Sequence, residues 1–266
     1  MNDYILHSDK LFFKHEISEN LPQNAYSMHV HHGYELLYFI DGNATYVIED
    51  RRYKLKKGDL VLIRPMQYHF IQIDSPQKYE RYDILFDPER HNIESSRLIP
   101  KDIEVINISE NTILKEIFRK LDFYRLHSDH STFEKLLCHL ISEMFYNLSL
   151  SYHSLPENTP TLSPLISKAL KYTNDNLCTI TGISEIASHL FVTESYLFRL
   201  FKRELHQTPK KYIQEKRLLL AQKMLAEGEK PARVSERCGF TDYTTFYRNY
   251  TAFFGRSPRE IKSPKI

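Results

Sequence analysis

Residues 29 to 35 read His-Val-His-His-Gly-Tyr-Glu and bring three imidazoles and a carboxylate into seven positions. If the stretch is extended, His29 and His31 lie two apart and project from one face of a strand. A fourth imidazole, His69, closes the segment Gly58-Asp-Leu-Val-Leu-Ile-Arg-Pro-Met-Gln-Tyr-His69. With Glu35 these histidines form a set of nitrogen and oxygen donors that suits iron, manganese, nickel or zinc. The same groups serve as the hydrogen-bonding wall of a pocket for an organic ligand. The choice between a chemical site and a sensor depends on the elements that hold these residues and on the rest of the chain.

Up to about residue 87 the chain reads as short strands. Segments 34–40, 44–50, 60–65, 68–73 and 79–86 are rich in β-branched and aromatic residues, and Asp41-Gly42-Asn43, Lys57-Gly58-Asp59 and Ser75-Pro76 mark turns between them. Many short strands at this spacing predict a sandwich or small barrel. The period then changes to that of a helix, through Ile113, Ile117, Leu121 and Tyr124, and again from Leu136 to Leu148. The second stripe is broad enough to cover the barrel and meet a second copy of itself. Residues 149–164, with three prolines among Ser, Thr and Asn, read as a linker.

The net charge of +2 is unevenly spread. From Leu165 onward there are 18 Lys and Arg against 10 Asp and Glu, whereas the preceding residues carry 18 against 24. A basic tail on an acidic front points to a polyanion bound by the tail. No run of 18 apolar residues occurs, the first residues lack a signal peptide's apolar core, and Cys138, Cys178 and Cys238 form no CxxC pair. A reduced, cytoplasmic setting is the expectation.

The tail repeats itself. Residues 183–213 and 232–261 align with Leu197 on Phe246, Arg199 on Arg248, Phe201 on Tyr250 and Pro209 on Pro258, all 49 apart. Upstream, Ile186-Ala187 falls on Val234-Ser235 at an offset of 48, so the second copy has one more residue in its turn. Each copy reads as helix, tight turn, helix, with Thr193 capping the second helix of one and Thr241-Asp242 that of the other. In a helix-turn-helix the second helix enters the major groove. Residues 209–228 predict a long helix joining the two.

The motifs Tyr196-Leu-Phe-Arg-Leu-Phe-Lys202, Arg217-Leu-x-x-Ala-x-x-x-Leu225 and Gly239-Phe-x-Asp-x-x-x-Phe-x-Arg248 resemble the DNA-binding domain of the AraC/XylS family of bacterial transcription regulators over roughly residues 165 to 262. His206 stands where that family usually has glycine, and Arg248-Asn-Tyr-Thr251 replaces a more basic pattern. The histidine segment, with Gly42 and the stretch 58–69, resembles the cupin-like sensor domain of the same family over roughly residues 10 to 87. Three features favour an organic effector over a metal. Gln67 occupies a position where metal-binding cupins usually have glycine, His32 and Tyr34 crowd the turn, and the family's barrels mostly bind effectors without metal.

The resemblance implies an α+β chain of two domains, divided as a cupin-like effector-binding barrel (1–108), a helical dimerisation segment (109–150), a linker (151–164) and an all-α domain of two helix-turn-helix units on a long helix (165–266). The expected DNA contacts are Glu194, Ser195, Phe198, Arg199, Lys202, Lys210, Lys211, Tyr243, Thr244, Tyr247 and Arg248. The expected effector contacts are His29, His31, Glu35, Tyr46, Arg64 and His69, with His32, Tyr38 and Arg81 left as candidates for the outer face. Neither catalysis, a metal nor another cofactor is expected. The partners implied are promoter DNA, a small effector of which a carbohydrate is the leading class, a second copy of the chain and RNA polymerase, with no membrane. The competing reading is a metal-dependent cupin enzyme with an accessory DNA-binding domain.

Overall fold

The computed structural model describes residues 11–151, apart from Asn24 and Ser27, and residues 162–260. The chain divides into two compact units, Met1–Pro160 and Thr161–Ile266. Most of the expected linker and the first ten residues lie outside the described residues.

Among the described residues the first unit holds eight strands: β1 (Leu11–Ser18), β2 (Tyr34–Asp41), β3 (Ala44–Ile48), β4 (Arg51–Lys54), β5 (Asp59–Ile63), β6 (His69–Ile73), β7 (Tyr79–Phe86) and β8 (Val105–Asn107). They form two antiparallel sheets, ordered β1-β7-β2-β5-β8 and β4-β3-β6. Residues 44–50 do not run as one strand. Glu49 takes a left-handed conformation, with φ of 50°, and its carboxylate accepts the Tyr68 backbone N–H at 2.9 Å, so the chain turns into β4. Alternation along each strand assigns its two faces. Leu37 and Phe39 of β2, Tyr46 and Ile48 of β3, Val61 and Ile63 of β5 and Ile71 and Ile73 of β6 make one buried cluster. Leu36, Leu60, Leu62, Ile84 and Phe86, on the other face of the larger sheet, pack against helices α1 (Thr112–His127) and α2 (His130–Ser151). That covering takes most of the α2 stripe: Phe133, Leu137, Leu140, Ile141, Met144, Phe145 and Leu148 are all buried within the unit. Tyr146 and Leu150 remain exposed.

The second unit is helical: α3 (Pro164–Asp175), α4 (Ile183–His189), α5 (Glu194–Leu205), α6 (Pro209–Ala226), α7 (Pro231–Arg237) and α8 (Tyr243–Phe254). Thr193 accepts the Tyr196 N–H at the start of α5, Thr208 that of Lys211 at α6, and Asp242 that of Thr245 at α8. Each cap satisfies a donor that the first helical turn leaves open. The repeat is visible in the turns as well. Phe191 and Gly239 both adopt positive φ, and the extra residue of the second copy follows that glycine. His206 and Gly255 end α5 and α8 in the same left-handed conformation, so His206 adopts a geometry that glycine takes without cost.

Candidate functional site

The interior face between the two sheets is polar at one end. Glu35 has the same strand parity as Leu37 and Phe39 and therefore points inward, while His69 has that of Ile71 and Ile73. A single bridge pairs His29 with His69, their backbones exchanging hydrogen bonds of 3.0 Å in both directions. The Glu35 carboxylate sits at the centre. Its Oε2 lies 2.9 Å from His31 Nε2 and 3.1 Å from His69 Nε2, and its Oε1 accepts the Tyr46 hydroxyl at 3.1 Å. Ligand-capable atoms of His29, His31, Glu35 and His69 all lie within 4.8 Å of one another. Burial would raise the Glu35 pKa, but the facing His69 and His31 outweigh it and hold the carboxyl well below the usual range.

A second polar layer adjoins this one and was not anticipated from the sequence. Arg81 and Asp83 of β7 turn inward, and Arg81 Nη2 lies 3.3 Å from both Glu16 Oε2 and Asp83 Oδ2. The guanidinium also lies over the Tyr26 ring at 4.6 Å, and Tyr26 donates its hydroxyl to Glu16 at 2.8 Å. Burial and the neighbouring Glu35 charge push Asp83 up to about 7, against the pull of Arg81. Arg81 Nε and Glu16 Oε2 are buried with no hydrogen-bond partner among the described residues. The signal that could have found this layer is the alternation Tyr79, Arg81, Asp83 along β7. It was masked because the opposite face begins with another charged residue, Glu80.

Of the expected effector contacts, His29, His31, Glu35, Tyr46 and His69 come together and Arg64 does not. The Arg64 guanidinium donates to backbone carbonyls of Ile103 at 2.8 Å and Pro100 at 2.5 Å, clamping the chain ahead of β8. A position one residue beyond β5 left its direction unreadable from alternation. Of the outer-face candidates, Tyr38 stacks on Phe118 of α1 at 4.4 Å, whereas Arg81 is interior.

In the second unit, Glu194, Ser195, Phe198, Arg199 and Lys202 of α5 are exposed, as are Lys210 and Lys211 at the start of α6. On α8, Thr244, Tyr247 and Arg248 are exposed and Tyr243 is half-buried against Phe246. The inward residues Leu197, Leu200, Phe201 and Leu205 of α5 and Phe246 and Tyr250 of α8 hold the helices from behind. Arg199 and Arg248 therefore present charge from equivalent places on two capped helices. None of the described helices is long and apolar enough to cross a membrane.

Comparison with known proteins bears on both units. Residues 17–121 match the AraC-like ligand binding domain, and residues 186–263 match a helix-turn-helix domain. The chain is 24% identical to the HTH-type transcriptional activator RhaR of Cronobacter sakazakii, over 91% of this chain and 89% of that one. It is 25% identical to the raffinose operon transcriptional regulatory protein RafR of Pediococcus pentosaceus, over 94% and 92%. A solved structure of ToxT from Vibrio cholerae aligns over 95% of this chain and 97% of that one, with 12% identity and a TM-score of 0.40. A ligand-binding β unit followed by two capped helix-turn-helix units, with both domain models matched in that order, makes this chain a member of the AraC family of DNA-binding transcriptional regulators.

Proposed function

We propose that the protein is a transcriptional activator in which Arg199 and Arg248 read bases and the polar chamber of the first unit binds a neutral, polyhydroxylated effector. The observation that carries the DNA half is the equivalence of the two arginines: both exposed, both on a helix whose N-terminus is capped and whose rear face is buried. An arginine so placed can grip guanine O6 and N7 in a bidentate contact, worth about 1–3 kcal/mol of discrimination. Glu194, Ser195, Phe198, Tyr243, Thr244 and Tyr247 flank them. Lys202, Lys210 and Lys211 lie at or beyond the end of α5 and suit phosphate. For the effector, His29, His31, Glu35, Tyr46 and His69 offer donors and acceptors to hydroxyl groups. A relative named for a raffinose operon supports a carbohydrate. The protein acts as a homodimer through the exposed remainder of α1 and α2, and as an activator it meets RNA polymerase.

The test uses a duplex selected from a random library by rounds of binding to the full chain. Arg199→Ala and Arg248→Ala should each weaken binding to that duplex about 10-fold or more and leave binding to random DNA nearly unchanged, at positions about 10 bp apart. Lys210→Ala should weaken both equally and reduce the salt slope by about one counterion. Equal loss on both DNAs for the arginine variants would show that they hold the backbone instead.

A further inference from the structure

The chamber contains a conflict of hydrogen-bonding roles. His31 Nδ1 lies 3.0 Å from the Gly33 carbonyl oxygen, and His69 Nδ1 lies 2.9 Å from that of Gln67. A carbonyl oxygen only accepts, so in each ring the proton sits on Nδ1. In the neutral ring Nε2 is then a bare lone pair. Both Nε2 atoms nevertheless face the same carboxylate oxygen, Glu35 Oε2, at 2.9 and 3.1 Å. With both rings neutral, three acceptors converge on one point, and two of the three belong to groups that are buried. Converging acceptors in a buried site repel unless a cation lies among them.

The protein can supply that cation only as protons on both rings. We propose instead that His29, His31, Glu35 and His69 hold a divalent first-row transition-metal ion inside the sensor unit, bound through imidazole nitrogen and Glu35 Oε2. Two ligand atoms each about 2.1 Å from a metal and at right angles lie about 3.0 Å apart, which the separations of Glu35 Oε2 from His31 and His69 match. The widest pair of ligand atoms, at 4.8 Å, has to close by about half an ångström to span a metal of that radius. His29 is the exposed member of the four. The Nδ1–carbonyl contacts of His31 and His69 are the support that metal-binding imidazoles use to fix ring orientation and raise basicity. Three nitrogens and one carboxylate favour iron, cobalt, nickel, copper or zinc over magnesium or calcium. Four protein ligands leave two positions of a six-coordinate ion for water or for oxygen atoms of the effector. This inference rests on the chamber being the effector site. It departs from the expectation drawn from sequence, because Gln67, there a reason for doubt, turns out to supply the carbonyl that orients His69.

The probe is Co2+ alone, added to the untagged full-length chain after chelator treatment and dialysis. The expected result is one equivalent per chain, with visible ligand-field absorption. His31→Ala and Glu35→Gln should weaken binding about 100-fold, and His29→Ala about 10-fold. His29 and His31 are not fully buried, so their variants should keep the circular dichroism of the parent even if His69→Ala does not. No cobalt bound by a folded chain at 100 µM, or binding untouched by His29→Ala and His31→Ala, overturns the proposal. Binding of the selected duplex is measured on the same samples. Loss of the metal result with DNA binding intact removes this inference alone, whereas loss of DNA binding by the parent removes the regulator reading beneath it.

Discussion

Arg217, on α6, connects three parts of the second unit. Its Nε donates to the Leu177 carbonyl at 2.8 Å, its Nη2 to that of Ile180 at 2.6 Å, and its Nη1 to that of Gly239 at 2.8 Å. The first two carbonyls lie in the loop ahead of α4, and the third lies in the turn between α7 and α8. One planar guanidinium therefore ties the long helix to both helix-turn-helix units. Replacing it with methionine keeps the stem's packing and removes all three donors. Hydrogen bonds from a charged group are worth about 1.5–3 kcal/mol each, but Arg217 is only half-buried and water can reach part of the gap. We therefore take about 1 kcal/mol per orphaned carbonyl, or about 3 kcal/mol in all, by the lower bound for an unsatisfied acceptor. For a unit of this size that lowers the melting temperature by roughly 12 °C or more.

Arg217→Lys should recover less than half of this, because a single ammonium cannot reproduce a rigid fork. Denaturant titration of Arg217→Met and Arg217→Lys gives the stabilities. Affinity for the selected duplex, measured well below the melting range, should still fall about 10-fold, since two units whose spacing is no longer fixed gain less effective concentration from being joined. If Arg217→Met unfolds within about 0.5 kcal/mol of the parent, the surface-substitution range, the guanidinium does not hold the unit together and the reasoning fails.

Three further outcomes are expected. Gly239→Ala should be worse than an ordinary loop substitution, because its φ is +78° and a Cβ there meets the Cys178 carbonyl oxygen and the Arg217 side chain; measured stability equal to the parent would contradict the turn geometry. His15 is flanked by Asp122 of α1 and Glu80 of β7, with Tyr82 stacked on it at 4.0 Å and Arg125 and Lys78 on its two carboxylates. Burial alone would lower its pKa, but the two carboxylates raise it above 6.5, so its contribution to stability is complete below pH 6.5 and is lost as pH rises through the folded value. His15→Gln should flatten the decline in stability on the alkaline side of pH 6.5, and an unchanged pH profile would exclude His15 as its source. If the proposed homodimer forms through α2, Tyr146→Glu and Leu150→Glu, at the apolar positions left exposed there, should shift sedimentation from dimer to monomer; a parent that sediments as a monomer, or variants that stay dimeric, would refute that interface.

What could be read from the sequence followed the strength of each local signal. The helix-turn-helix pair was legible because its parts reinforce one another: Thr193 and Asp242 cap, Leu197 and Phe246 fill equivalent core positions, and the offset changes from 48 to 49 at one turn. The turn needs a left-handed residue, which Gly239 announces in the second copy. In the first copy Phe191 takes that conformation without announcing it, so the turn was marked there only by the Thr193 cap that follows it. The central strands showed themselves by β-branched alternation. β1 did not, because Lys14, His15 and Glu16 are all polar and both its faces are covered, one by α2 and one by the chamber. For the same reason Glu16 was missed and Arg81 was a candidate for the outer face: a buried ion pair reads in sequence like two solvated charges, and only the register that sets Glu16 opposite Arg81 distinguishes them. The direction of a ring nitrogen lies further still from the sequence. His-x-His is compatible with a pocket wall or a metal ligand, and in either case an Nδ1 bound to a carbonyl leaves Nε2 as the atom that faces the ligand. Gly33 and Gln67 provide those carbonyls through backbone geometry, which residue identity does not specify. Residue spacing could therefore show that these side chains share a chamber, but only the carbonyl acceptors behind the rings show which way their Nε2 atoms point.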